Sequence, residues 1–149
     1  KTANRGVGSD KTSDVLKRLD SVLAVRPQVA SVMLGINDIY AEVPIDEIIA
    51  NYHSIVLTLV ENDIEVIIQS TVQCQLAKCG QSKVSQVNKL NAKLQLLSSE
   101  LGVSFSLLTE LSSQSGLAAE YTYDGVHLTA DGYGSWIEHI KEVLLSKGF

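Results

Sequence analysis

The spacing of apolar residues divides the chain into amphipathic helical segments and short, continuous apolar runs. Thr12 or Ser13 can cap the first helical segment, which ends before Pro27. Pro44 and Asp46 suit the start of the second segment. The four apolar stripes are Val15, Leu16, Leu19, Val22 and Leu23; Ile48, Ile49, Tyr52, Ile55, Val56, Leu59 and Val60; Val84, Val87, Leu90, Leu94, Leu97 and Leu101; and Tyr133, Trp136, Ile137, Ile140, Val143 and Leu144.

Between these helices lie apolar runs at residues 29–34, 64–69 and 103–107, which have the length of buried strands. Strands that alternate with helices predict a parallel sheet covered on both faces, so the expected fold class is α/β with three α/β/α layers. At 149 residues the chain fits a single domain, residues 1–149. Ligands bind such sheets at the carboxyl ends of the strands, so we expect the functional residues in the loops that follow the strands.

Composition narrows the range of functions. Hydrophobic residues make up 45% of the chain and charged residues 19%, which is the balance of a globular protein. The net charge of -5 includes no basic stripe, so nucleic acid is not an expected partner. No apolar run approaches the roughly 20 residues of a membrane-spanning helix, and we expect a soluble protein with no membrane span.

The two cysteines, Cys74 and Cys79, stand close together in the polar stretch 73–83. They are compatible with free loop thiols or, in a secreted or periplasmic protein, with a local disulfide. A structural zinc ion needs four nitrogen or sulfur ligands, which this stretch does not supply. We therefore expect no metal, and the location of the protein stays open.

Polar residues with catalytic potential follow the predicted strands. Asp124 precedes His127 by one turn, so its carboxylate can hold one imidazole nitrogen while the other acts as a general base. The alternative is a local turn with a surface histidine. Gly35 and Asn37 end the first apolar run, where a glycine lets the backbone pass close to substrate and an amide can donate to an oxyanion; an ordinary strand-ending turn is the alternative. Residues 4–10 place glycine N–H groups where they can face an anion; an ordinary glycine-rich turn with a helix cap is the alternative.

Three sequence blocks resemble, in this order, the SGNH or GDSL-like serine hydrolases, especially bacterial proteins similar to platelet-activating-factor acetylhydrolases and to acyl or carbohydrate O-acetyl esterases. The blocks are NRGVGSD at residues 4–10, GIND at 35–38 and DGVHLTADGY at 124–133. The resemblance implies a flavodoxin-like fold and a carboxylic ester hydrolase with a Ser-His-Asp triad and no cofactor. Its substrate would be a small-molecule, carbohydrate or lipid ester.

The same resemblance implies residue roles. His127 resembles the general base, Asp124 the carboxylate that orients it, and Asn37 the side-chain donor of the oxyanion hole. The backbone donor of the oxyanion hole falls on Ser9, with Gly8 as the alternative. The other histidines receive no catalytic role; they are His53 and His139.

The family's first block, a central strand that ends in a Gly-Asp-Ser motif with the nucleophilic serine, has no counterpart in this sequence. The chain is therefore expected to be truncated or degenerate, to lack the first strand and to be inactive alone. The alternative function is a catalytically inactive binding or interaction module, and a third interpretation makes Ser9 a substitute nucleophile. Without the first strand, residues 29–34 would form an unpaired apolar edge, which predicts a homo-oligomer.

Overall fold

The computed structural model describes residues 2–149. Its strands and longer helices are α1 (Thr12–Lys17), α2 (Asp20–Leu23), β1 (Val29–Val32), α3 (Ile36–Tyr40), α4 (Ile45–Glu61), β2 (Glu65–Gln69), α5 (Leu76–Leu101), β3 (Ser104–Ser106), β4 (Ser112–Ser113), β5 (Gly116–Leu117) and α6 (Ala130–Ser146). The strands β1, β2 and β3 form a parallel sheet in that order, and β4 pairs with β5 in a small antiparallel hairpin. The prediction of an α/β fold with a parallel sheet is confirmed.

The two faces of β2 hold different layers, because successive side chains of a strand point to opposite sides. Val66 and Ile68 are buried in the main core with apolar side chains of α1, α4 and α5. Gln69 accepts a hydrogen bond of 3.1 Å at Oε1 from Nε1 of Trp136, on α6. Helices therefore lie on both faces of the sheet, as the predicted stripes require.

The exit from β1 is fixed by side chains of its neighbours. The hydroxyl of Tyr52, which is fully buried in α4, donates to the carbonyl of Leu34 and accepts from its N–H. Burial raises the pKa of Tyr52, so this hydroxyl keeps its proton. Gly35 follows at φ 115°, and a Cβ there would lie 2.6 Å from Cδ2 of Leu90. Glycine is required at this position for conformation and for packing against α5.

The first helix differs from its prediction. It is divided into α1 and α2, and Lys11 occupies the N-cap position that was predicted for Thr12 or Ser13. Thr12 is fully buried, and both its N–H and its hydroxyl donate to the carboxylate of Asp38. Because the hydroxyl is used by this long-range contact, Thr12 does not cap its own helix.

Two predicted loops are partly helical. The segment after Gly35 forms the short helix α3, so Asn37 lies in a helix rather than in an open turn. Helix α5 begins before the predicted stripe, takes in Cys79 and is interrupted at Gly80, which has φ 78°. Of the two states that the sequence left open for the cysteines, the structure has the disulfide Cys74–Cys79.

Two parts of the described surface, the outer edge of β1 and the outer face of α6, are thinly covered. β1 is an outer strand of the parallel sheet, as expected, and pairs only with β2 among the described strands. On α6, Gly132 is the one buried residue, whereas the apolar side chains of Tyr133, Ile137 and Leu145 are largely exposed. Within residues 2–149, no helix combines the length and the apolar character that crossing a membrane requires.

Candidate active site

The turn before α6 holds an acid–histidine pair. Oδ2 of Asp124 lies 2.7 Å from Nδ1 of His127, and Oδ1 accepts from the backbone N–H groups of Val126 and His127. The ring of His127 first, and then these backbone donors, hold the pKa of Asp124 well below its usual range. The carboxylate therefore stays charged and fixes the orientation of the ring. The His127 side chain is 66% exposed, and its Nε2 has no hydrogen-bond partner among the described residues.

Short-range hydrogen bonds give this turn its shape. The hydroxyl of Thr122 donates to the carbonyl of His127 and accepts from the N–H of Gly125. Thr129 then caps α6 by accepting from the N–H of Gly132 at its side chain. Tyr123 stacks beside the ring of His127, with the ring centroids 6.1 Å apart. The histidine is thus presented on a closed turn that leads directly into a capped helix.

The disulfide loop after β2 packs on the same turn. The N–H of Gln75 donates to the carbonyl of Gly125 at 2.7 Å. Gly125 has φ 90°, and a Cβ there would lie 2.6 Å from Cβ of Lys78. Both contacting residues stand between Cys74 and Cys79, so the disulfide constrains the backbone against which the acid–histidine turn rests.

Asn37, the predicted oxyanion donor, is held by the earlier sequence block. Its Nδ2 donates to the carbonyl of Asp10 at 2.9 Å. An amide nitrogen carries two N–H bonds, so one positions the side chain and the second is left to bind an oxyanion. Asp10 is itself fixed by Arg18, whose guanidinium contacts its carboxylate at 2.6 Å. The structure therefore brings the block at residues 4–10 together with the GIND block at residues 35–38.

The predicted backbone donors lie on an exposed turn. The N–H of Asp10 donates to the carbonyl of Val7, and Ser9 has φ 67°. This left-handed conformation favours glycine, which is the residue that the family resemblance implies at this place. Neither the N–H of Gly8 nor that of Ser9 donates to another described residue. Both are free to bind an anion.

A tyrosine of α3 responds to the charge of the acid–histidine turn. Burial and then the negative charge of Asp124 raise the pKa of Tyr40. Asn37 lies one turn earlier in the same helix. Convergence of Asn37, Gly8 or Ser9 and His127 on one substrate stays a prediction, as does a substrate contact for Gly35.

The acid–histidine turn is an open surface rather than a pocket. Two clefts of the described chain lie elsewhere, and Asp124 and His127 line neither of them. Within residues 2–149, no three His, Cys, Asp or Glu side chains come close enough to hold a metal ion.

Sequence reasoning gave His139 no role, but the structure places it in a polar contact. Its Nε2 lies 2.6 Å from Oγ of Ser106 at the end of β3, and its Nδ1 lies 3.5 Å from Oε2 of Glu110. The sequence places His139 beside the apolar stripe of the last helix, which indicates that it lies near the sheet. The stripe does not specify which strand residue His139 contacts, because that depends on how the helix packs.

The parallel sheet with helices on both faces places the chain in the α/β class of folds. Residues 1–134 match the GDSL-like Lipase/Acylhydrolase family, and the chain belongs to that family. A comparison with curated protein sequences gave no match.

Solved structures agree with this assignment. A GDSL-like lipase from Bacteroides thetaiotaomicron is 22% identical with a TM-score of 0.87, over 96% of this chain and 75% of that one. A Streptococcus pneumoniae structure named as a platelet activating factor is 26% identical with a TM-score of 0.84, over 95% and 72%. An acetylxylan esterase from Geobacillus stearothermophilus is 18% identical with a TM-score of 0.79, over 93% and 69%.

Proposed function

We propose that this chain supplies the general base, its orienting carboxylate and the oxyanion donors of a serine ester hydrolase that acts on small acyl esters. The observation that carries the proposal is the 2.7 Å contact between Asp124 and Nδ1 of His127, which leaves Nε2 open. An imidazole held in this way can take a proton from a hydroxyl and return it to a leaving group. Family membership supports the ester hydrolase class.

In the proposed reaction, His127 accepts the proton of a serine hydroxyl while the serine oxygen bonds to the ester carbonyl carbon. The second N–H of Asn37 and the backbone N–H of Ser9 or Gly8 bind the oxyanion that forms. The alcohol leaves with the proton from His127. Water then repeats the sequence on the acyl-serine and releases the acid.

The serine of this scheme comes from outside the 149 residues in our proposal. Among the described residues, no hydroxyl is hydrogen-bonded to Nε2 of His127. The absence of a Gly-Asp-Ser motif from the sequence supports the same interpretation. A strand carrying that motif would provide the nucleophile.

A fluorophosphonate probe, which reacts with activated serines, tests the proposal together with hydrolysis of p-nitrophenyl acetate. We expect the 149-residue chain to be unlabelled and to hydrolyse the ester no faster than its His127→Ala variant. A form that carries a Gly-Asp-Ser block should be labelled on that serine, and labelling should require His127. Robust, His127-dependent turnover by the 149-residue chain would contradict the external nucleophile, and Ser9→Ala would then test Ser9.

An inactive binding module is the second candidate, and the absence of a Gly-Asp-Ser motif from these 149 residues is the observation that favours it. The coding sequence before Lys1 separates the two functions. A strand followed by Gly-Asp-Ser supports the enzyme, whereas a coding sequence without that motif supports the module.

We also propose that a second copy of the chain covers the outer edge of β1. An outer strand offers unpaired N–H and C=O groups with which a strand of another chain can pair. The exposed apolar residues of α6 add further apolar surface that a second copy could cover. Light scattering at micromolar concentration should detect a dimer or larger species. A well-folded, strictly monomeric 149-residue chain would contradict this proposal.

A further inference from the structure

We propose that the chain has a binding site for neutral carbohydrate, separate from the acid–histidine turn. A cleft of about 390 Å³ lies between α5 and the chain that follows β2 and β3. This volume falls in the range of small-ligand sites, about 300 to 1,000 Å³. We call it the amide cleft, and its lining includes Ser70, Gln73, Asn88, Gln95, Phe105 and Thr109.

The lining of the amide cleft carries no charge. Apart from three apolar residues, each lining side chain is an amide or a hydroxyl, and none is acidic, basic or histidine. A charged ligand would lose water there without meeting an opposite charge, which is unfavourable. A neutral ligand with many hydroxyl groups would exchange its hydrogen bonds to water for bonds to these side chains.

A buried amide of the cleft has an unused acceptor. Gln73 is 2% exposed, and its Nε2 donates to the carbonyl of Val84 and to Oδ1 of Asn88. The amide of Asn88 in turn donates to the carbonyl of Gln114, so the network fixes which way Gln73 points. Oε1 of Gln73 has no hydrogen-bond partner among the described residues, but it is shielded from solvent and a ligand in the cleft does not touch it. Gln73 therefore contributes a fixed, uncharged wall to the cleft rather than a contact for ligand hydroxyls.

The rim of the cleft combines apolar surface with free polar groups. Phe105 and Leu107 line it, and Leu107 is 54% exposed. The side chains of Gln95 and Thr109 make no hydrogen bond to another described residue, so they are free to bind ligand hydroxyls. A sugar ring presents C–H groups on its faces and hydroxyls around its edge, which matches this combination.

The amide cleft and the acid–histidine turn share one backbone segment. Gln73 lies two residues before Gln75, whose N–H holds the carbonyl of Gly125. Two extended residues span about 7 Å, so this segment joins the wall of the cleft to the backbone that supports the turn. Carbohydrate binding itself does not depend on ester hydrolysis and stands independently of the proposed enzyme activity.

Two-dimensional amide NMR titrations of the folded 149-residue chain test the proposal. The probes are xylotriose, cellotriose, mannotriose and, as an anionic counterpart, trigalacturonate. We expect at least one neutral trisaccharide to bind with a Kd of about 5 mM or less, which is weak but measurable. Amide shifts should centre on Gln73, Gln95 and Thr109, and trigalacturonate should bind at least about tenfold more weakly.

Matched glutamine variants of α5 locate the site. Gln95→Ala removes an exposed amide from the amide cleft and should weaken binding at least about fivefold. Gln86→Ala removes the same group nine residues earlier, about half a turn away around the helix, and should leave binding unchanged. The proposal is overturned if none of the neutral trisaccharides binds at 20 mM, if trigalacturonate binds equally well, or if both variants behave alike.

Discussion

Two histidines of this protein each contact a carboxylate, but their surroundings differ. His127 sits on an exposed turn, 2.7 Å from Asp124, and its second ring nitrogen has no partner among the described residues. His139 is 17% exposed and uses both ring nitrogens, one toward Ser106 and one toward Glu110. Ser106, His139 and Glu110 are connected in the same order as the serine, histidine and acid of a catalytic triad. The sequence block that resembles the family, however, contains His127.

We infer from this difference that the histidine with an open nitrogen, and not the one with a complete set of partners, is the catalytic candidate. Ser106 is 6% exposed, so its hydroxyl presents little surface to an ester. The contact instead joins the end of β3 to α6, the helix that follows the acid–histidine turn. We infer that His139 positions α6, while His127 is available to substrate.

The largest expected difference between the two histidines is in activity. In a form of the protein that carries the serine block, His127→Ala should lower kcat at least about 10³-fold, because no base remains for the nucleophile. His139→Gln, which can still hydrogen-bond Ser106, should change kcat by less than about tenfold. Steady-state hydrolysis of p-nitrophenyl acetate measures both, with circular dichroism as the folding control. A larger loss at His139 would reverse the assignment.

Substitution of His139 should lower protein stability more than substitution of His127. His139→Ala leaves the buried hydroxyl of Ser106 without its partner, which should lower the free energy of unfolding by about 1 to 3 kcal/mol. His127→Ala changes an exposed side chain and should stay within about 0.5 kcal/mol. Urea unfolding of the 149-residue chain measures both changes.

A double-mutant cycle serves as the control for this stability difference. The variant Ser106→Ala combined with His139→Ala removes both polar partners and should recover part of the loss. Strictly additive effects of the two substitutions would show that the hydrogen bond between Ser106 and His139 does not stabilise α6.

The contrast between the two histidines also shows which features of the structure can be predicted from the sequence. Helical stripes and apolar runs set the elements and the parallel sheet, because they depend on local periodicity. Asp124 and His127 were found together because one turn joins them. The N-cap of α1 is not the predicted Thr12, since the Thr12 hydroxyl makes a tertiary contact with Asp38. The contact of His139 depends in the same way on a strand that is distant in sequence.

The smallest expected effect concerns the charge of Asp124. The hydrogen bonds of Asp124 to His127 and to backbone N–H groups lower its pKa. They therefore stabilise the fold fully above about pH 3.9, where the aspartate of an unfolded chain titrates. This stabilisation is lost as the pH falls below that value toward the lowered pKa of the folded state. Carboxyl-carbon NMR should therefore show Asp124 titrating below the ordinary value. His127→Ala should raise the pKa of Asp124 only part of the way, since the backbone donor of Val126 remains. His139→Gln is the matched control and should leave this titration unchanged; an Asp124 that titrates normally in the unsubstituted chain would contradict the acid–histidine contact itself.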